Sequence, residues 1–334
     1  MRAVGPNIEL SASDLSYFLA CRHRSALDLA VARGLRSAPD WIDPAIEILR
    51  QRGLEHERRY TDRLRAQGLA VAELAAHEID GAAERSIEAM RAGADVILQP
   101  ALRNASWFGR PDLLRRVAKP SALGSWSYEV HDTKLANETS AGTILQLALY
   151  SDLLANVQGL TPEFFHVVTP NTALQTYRFD DFSAYFRLVR RRLESTVSID
   201  PRALLAANYP EPVKHCDVCR WWRDCDRRRR EDDHLSLVAG MSRLHAHELE
   251  RAGLGTLTQL GGTPLSLDFK PVRGARESYE RMHDQARVQL AGRIANAPVH
   301  ELLPSAPDRG FSRLPLPSTK DLFLDIEGDP FARP

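Results

Sequence analysis

Two carboxylates, Asp112 and Asp132, and one lysine, Lys134, carry the strongest chemical signal in this sequence. Gly109-Arg110-Pro111-Asp112 closes one short apolar run, and Asp132-Thr133-Lys134 lies on the next long one. Side chains of an extended strand alternate with period two, so Asp132 and Lys134 share a face. Carboxylates converging from adjacent strands form a hard oxygen site for Mg2+ or Mn2+, and a lysine beside it can orient or help deprotonate an attacking water. That is the chemistry of phosphodiester hydrolysis. Lysine is also scarce: of 44 basic residues only Lys119, Lys134, Lys214, Lys270 and Lys320 are lysine, so a lysine here invites a reason that arginine would not satisfy. The plain alternative is a solvated strand edge, because Pro-Asp turns and Asp-x-Lys are common.

Further groups fall where they can serve the same ion. His56, in Gly53-Leu54-Glu55-His56-Glu57, sits on a helical segment before the strands and offers an imidazole ligand; a structural helical histidine is the alternative. Gln146 and Tyr150, four residues apart on the helix that follows Lys134, project from one face, as a packing face with a polar rim also would. All four cysteines form one pattern, Cys21 followed far downstream by Cys216-x-x-Cys219 and then Cys225. Four thiolates suit an iron-sulfur cluster or a structural zinc, with His215 able to compete as a zinc ligand, and four unrelated buried cysteines are the remaining reading.

The elements that must position these residues are legible in outline. A chain of 334 residues, 43% hydrophobic and 26% charged, can bury a sizeable core in two domains. Its 44 basic and 44 acidic residues balance, so any nucleic-acid surface must be local. Glu9 and Asp14 interrupt any signal-like start and no stretch reaches about eighteen apolar residues, which makes the cytoplasm the expected compartment and disulfides unexpected. A capping pair, Ser11 and Asp14, opens one predicted helix that runs to Arg33 and contains Cys21. A second helix begins at Pro44, ends at Gly68 and places His56 mid-helix; a third covers Ala82 to Arg91. Short runs at Val96 to Leu98, Trp107-Phe108, Leu113-Leu114 and Trp126 to Val130 predict a three-stranded meander. A helix over Thr139 to Val157, a strand over Phe164 to Val168, a hairpin return over Leu174 to Phe179 and a helix over Asp180 to Thr196 complete an α/β core with a mixed sheet flanked by helices.

Taken in order, the Gly-x-x-His helix, Pro-Asp, Asp-x-Lys and Gln-x-x-x-Tyr resemble the four motifs of the RecB-like branch of the PD-(D/E)xK nucleases, on a matching framework of helix, strands and helix. The resemblance implies a restriction-endonuclease-like fold, with His56, Asp112 and Asp132 as ligands of Mg2+ or Mn2+, aided by the backbone at Thr133. It implies Lys134 as the catalytic lysine and Gln146 with Tyr150 as an accessory pair near the active site and the DNA. Many relatives place Glu where Asp132 stands. Glu129 is a second acidic candidate, but three residues upstream it faces the other side of a regular strand. The cysteine layout resembles the iron-sulfur subgroup, which implies a structural 4Fe-4S cluster on Cys21, Cys216, Cys219 and Cys225 closing the domain like a clasp, with zinc as the alternative. The implied activity is a deoxyribonuclease, read as an exonuclease, in DNA repair, recombination or defence. The alternative is a catalytically silent DNA-binding or scaffolding module.

On this reading residues 1–232 are the nuclease domain, 233–262 an element like a helix-hairpin-helix with Gly253 at its bend, and 263–319 linker or insertion. Residues 320–334 carry an apolar run with Asp325-x-Glu327, which resembles the first motif of DEDD-type, ribonuclease-H-like exonucleases. The chain therefore resembles the N-terminal part of a larger nuclease, whose exonuclease or helicase partner would be a further segment or a separate chain; no membrane partner is expected. Basic clusters at Arg187 to Arg192 and Arg220 to Arg230, with Trp221 and Trp222, can hold phosphate and stack on bases, or can equally be a solvated face and a shield for the cysteines.

Overall fold

Alternating burial in a six-stranded mixed sheet sets the architecture of the site. A computed structural model describes residues 1–40, 44–74, 81–264, 270–304 and 306–325. They form two compact units, Met1–Arg223 and Asp224–Pro334. The first unit opens with strands β1 (Arg2–Val4) and β2 (Asn7–Ser11), then helices α1 (Ala12–Ala20), α2 (Arg22–Ala32) and α3 (Pro44–Ala66). Strand β3 (Val71–Glu73) and helix α4 (Ala82–Arg91) lead into β4 (Val96–Leu98), β5 (Leu102–Asn104), β6 (Trp107–Gly109), β7 (Leu113–Val117) and β8 (Ser127–Thr133). Helix α5 (Ala141–Gln158), strands β9 (Phe164–Val168) and β10 (Leu174–Arg178), and helices α6 (Phe179–Val197) and α7 (Pro201–Ala207) follow.

The larger sheet has the order β10-β9-β8-β7-β4-β3, with β8 and β9 parallel, β3 and β4 parallel, and the remaining pairs antiparallel. Its meander is β4-β7-β8. Strands β5 and β6 instead join β1 and β2 in a second mixed sheet, in which Leu10 pairs in parallel with Trp107. In the large sheet Ile97, Leu114, Val130 and Val167 pack into the main core with α5, whereas Val96, Leu98, Leu113 and Val168 pack with Tyr60 and Leu64 of α3. Successive residues thus bury against opposite layers, as period-two alternation requires. The architecture is mixed α/β, two mixed sheets flanked by helices.

The expected single helix over Ser11 to Arg33 is two. The capping box of Ser11 and Asp14 starts α1 as predicted, but Cys21 is extended (φ −156°, ψ 113°) and serves both as C-cap of α1 and N-cap of α2. Its N–H bonds Tyr17 O and its Sγ accepts from Arg24 N, so both helix ends are satisfied without continuing the spiral. Leucine periodicity runs through the break and hid it.

The second unit carries α8 (Trp222–Glu231), α9 (Arg243–Arg251), α10 (Leu257–Gly262) and α11 (Arg276–Ala295) around Leu235, Leu249, Leu257, Leu260, Tyr279 and Ala286. The stretch expected to be linker or insertion contains a twenty-residue helix. It seats Tyr279, His283 and Ala286 inward, a face with too little aliphatic character to register as a hydrophobic period. A Cβ on Gly261 would lie 2.7 Å from Ala286 O, so glycine permits the close approach of α10 to α11. Gly253, at φ +83°, makes the bend between α9 and α10. Of the apolar run expected as a strand near the end, Leu322, Phe323 and Leu324 are exposed and unpaired, Asp325 lies in irregular chain, and Glu327 lies outside the described residues.

Candidate active site

The edge where β4, β8 and β9 end and β7 begins collects the acidic residues. Because β7 is antiparallel to β8, with Leu113 opposite His131, Asp112 at the entry to β7 meets the exit of β8. Asp112 Oδ2 accepts two bonds from the same residue, Thr133 N at 2.7 Å and Thr133 Oγ1 at 2.8 Å. Thr133, expected to assist through its backbone, thus fixes the first carboxylate. Asp132, 1% exposed, ion-pairs with the Lys134 ammonium. The ammonium meets its buried Oδ2. Burial first, then the charge of Asp112, pushes the Asp132 carboxyl up to about 7, against the pull of Lys134. Burial would lower the Lys134 ammonium, but Asp132, Asp112 and Glu57 outweigh it and the net shift is upward.

Two further members of this group, Glu57 and Gln99, are marked by no sequence motif. Glu57 is half-buried, and burial and then Asp112 raise its carboxyl. Gln99 Nε2 donates to Glu57 Oε1 at 2.5 Å, while Gln99 N donates to Asp112 O at 2.8 Å. The Glu57 carboxylate was adjacent to the named histidine, but helical period alone does not tell which of two neighbours faces the sheet edge.

His56 differs from expectation. Its Nε2 bonds the Val168 carbonyl at 3.1 Å, the same oxygen that accepts from Lys134 N, and its Nδ1 is buried without a partner. It is Glu57 that shares the electrostatics of Asp112, Asp132 and Lys134. Gln146 and Tyr150 share a face of α5 as expected, with Gln146 Nε2 donating to Tyr150 Oη at 3.0 Å. Burial, reinforced by Asp132 among others, raises the Tyr150 phenol, which stays protonated. Gly109 is forced by this ring: a Cβ there would fall 2.8 Å from both Tyr150 Cδ1 and Leu153 Cδ1. Glu129 faces the other side of β8, pairing with His166 Nε2 at 3.0 Å.

Among the described residues no three His, Cys, Asp or Glu side chains are gathered as a formed metal site. The donor chemistry nevertheless fits a hard divalent cation. Asp132, Asp112 and Glu57 share one ammonium, that of Lys134, which meets the buried Oδ2 of Asp132.

The four cysteines form no disulfide among the described residues. Cys21, Cys216 and Cys219 lie near enough to act on one another's charge, and burial raises both Cys21 and Cys219. Cys216 Sγ accepts from Val213 N, as Cys21 Sγ does from Arg24 N. Among the described residues no group of three or more metal-binding side chains is formed, so the expected four-cysteine clasp is not shown. What does join α2 to the end of the first unit is polar. Buried Asp28 accepts from Trp221 Nε1 at 2.7 Å and Arg220 at 2.6 Å, Arg24 meets Asp28 and His215, and His23 Nδ1 lies 2.7 Å from Asn208 O.

The basic clusters divide accordingly. Trp221 is buried and spent on Asp28, and Arg190 binds Asp152 and Glu194. Arg227, Arg228 and Arg230 pair along α8 with Asp224, Asp226, Glu231 and Asp232, as a solvated helix face does, whereas Arg229 is buried and meets Asp226. Among the described residues no helix is long and apolar enough to cross a membrane. No protein-family model matches the chain, and no curated protein matches it significantly.

Proposed function

We propose that this chain is a divalent-metal-dependent nuclease that hydrolyses phosphodiester bonds of DNA, with a restriction-endonuclease-like core of the RecB-like type. The observation that carries the reading is the meeting of Asp112, Asp132 and Lys134 at one sheet edge under Tyr150. Asp112 and Asp132 would hold Mg2+ or Mn2+, with His56 in reserve through its unpartnered Nδ1. When bound, such an ion polarises the phosphate and lowers the pKa of a water.

The chain's own residues do the rest. Thr133 holds Asp112 still through two hydrogen bonds, so the carboxylate needs no reorganisation during turnover. Lys134, 30% exposed, keeps its proton; it orients the attacking water and offsets the charge that builds on the phosphate oxygens as the new P–O bond forms and the leaving P–O bond breaks. Tyr150 stays neutral and, held by Gln146, offers a hydroxyl at the rim. A 4Fe-4S cluster, or zinc, on Cys21, Cys216, Cys219 and Cys225 is proposed as a structural element, because hydrolysis transfers no electron. Three of those thiols interacting within one unit support it.

The test is cleavage of end-labelled linear single-stranded and duplex DNA with Mg2+ or Mn2+, wild type beside Lys134→Ala. Wild type is expected to cut and the variant to lose at least a hundredfold in rate. Equal cutting by both, or none by either with the fold intact, overturns the reading.

A further inference from the structure

We propose that Gln99 is a positioning residue that aims Glu57 at the cation site, making Glu57 a third carboxylate of that site. The inference rests on the nuclease reading above and goes beyond its ligand set. Gln99 follows β4 with φ +51°, a conformation uncommon for any non-glycine residue. Glycine would adopt it freely, so the backbone alone does not call for glutamine. What glutamine adds is its amide. In this conformation Gln99 N holds the Asp112 carbonyl while its Nε2 holds Glu57 Oε1. One residue therefore ties the Asp112 turn to helix α3, two elements far apart in sequence.

The occupant follows from charge. Glu57, Asp112 and Asp132 bring three carboxyl groups to the single ammonium of Lys134, which meets the Oδ2 of Asp132, a residue 1% exposed. Buried excess charge of one sign is stable only when a counter-charge compensates it. Gln99 engages only Oε1 of Glu57, so Oε2 makes no hydrogen bond among the described residues.

The experiment is calorimetric titration of Mn2+ into the full chain and its Glu57→Gln, Gln99→Gly and Asp132→Asn variants, each checked for native circular dichroism. Wild type is expected to bind and Asp132→Asn to lose binding. Glu57→Gln should weaken Mn2+ at least tenfold, and Gln99→Gly about tenfold, although glycine suits the backbone at 99 and leaves the fold unstrained. If Glu57→Gln and Gln99→Gly bind as wild type while Asp132→Asn does not, this proposal fails and the nuclease reading stands. If Glu57→Gln alone weakens binding, the positioning role of Gln99 is overturned. If wild type binds no Mn2+, the nuclease reading fails and this inference with it.

Discussion

Asp132→Asn should stabilise the metal-free protein at alkaline pH while destroying its cation site. The side chain is 1% exposed, and the folded protein holds its carboxyl up to about 7 against an ordinary 3.8. Below 3.8 the group is neutral folded or unfolded. Between that value and about 7 the folded chain keeps a proton that the unfolded chain releases, so wild-type stability falls as pH rises through this window, and the loss is complete above it. At about 1.4 kcal/mol per pH unit the loss approaches about 4 kcal/mol, reduced by whatever local relaxation admits water. Asparagine has the same shape and no charge to bury. Urea unfolding in chelator should therefore show wild type and variant alike near pH 4, and the variant more stable by about 2–4 kcal/mol near pH 8.5. Added Mn2+ should then raise wild type and leave the variant unchanged, with about 2.7 kcal/mol at a hundredfold excess over Kd. A difference that is the same at both pH values, or a variant less stable at the higher one, refutes the claim that Asp132 is a buried charge held for a cation.

Three other expectations can be checked on the same material. Gly109→Ala drives a Cβ into Tyr150 and Leu153, both buried, and should cost about 1–3 kcal/mol in thermal unfolding and weaken the Tyr150–Gln146 contact in a crystal structure. Asp28→Ala strips acceptors from Trp221 Nε1, Arg220 and Arg24, and should destabilise the first unit by about 3–5 kcal/mol; Asp28→Asn, which keeps one acceptor oxygen, should cost less. Anaerobically purified protein should show broad visible absorption and iron by analysis, both lost in Cys219→Ser; stoichiometric zinc without colour would instead assign the thiols to zinc.

Much of the candidate site was legible because its signals are local. Pro-Asp before a strand, Asp-x-Lys at the end of the next, and Gln-x-x-x-Tyr on a helix each fix relative direction through period two or 3.6, and Lys134 stood out in a chain that otherwise uses arginine. The capping box at Ser11, the cap at Gly68 and the strand Phe164–Val168 were likewise read from short-range chemistry, and the structure carries them.

What local pattern could not supply depends on contacts distant in the chain. The choice between His56 and Glu57 turns on the angle at which α3 crosses the sheet, set by Tyr60 and Leu64 packing on Val96, Leu113 and Val168. Gln99 has no motif; its role exists only because β4 ends beside the start of β7. Cys21 breaks a helix whose leucine period is uninterrupted, and α11 forms on a face too poor in aliphatics to announce itself, completed by packing against Gly261 and Leu260. The sequence by itself determined most elements of the first unit, the order of the chemical groups and the face each takes within its own strand or helix. Only the tertiary structure decided which neighbour of a pair meets Asp112 and where buried charge accumulates, because those depend on packing between layers and on desolvation, and neither is a property of any short segment.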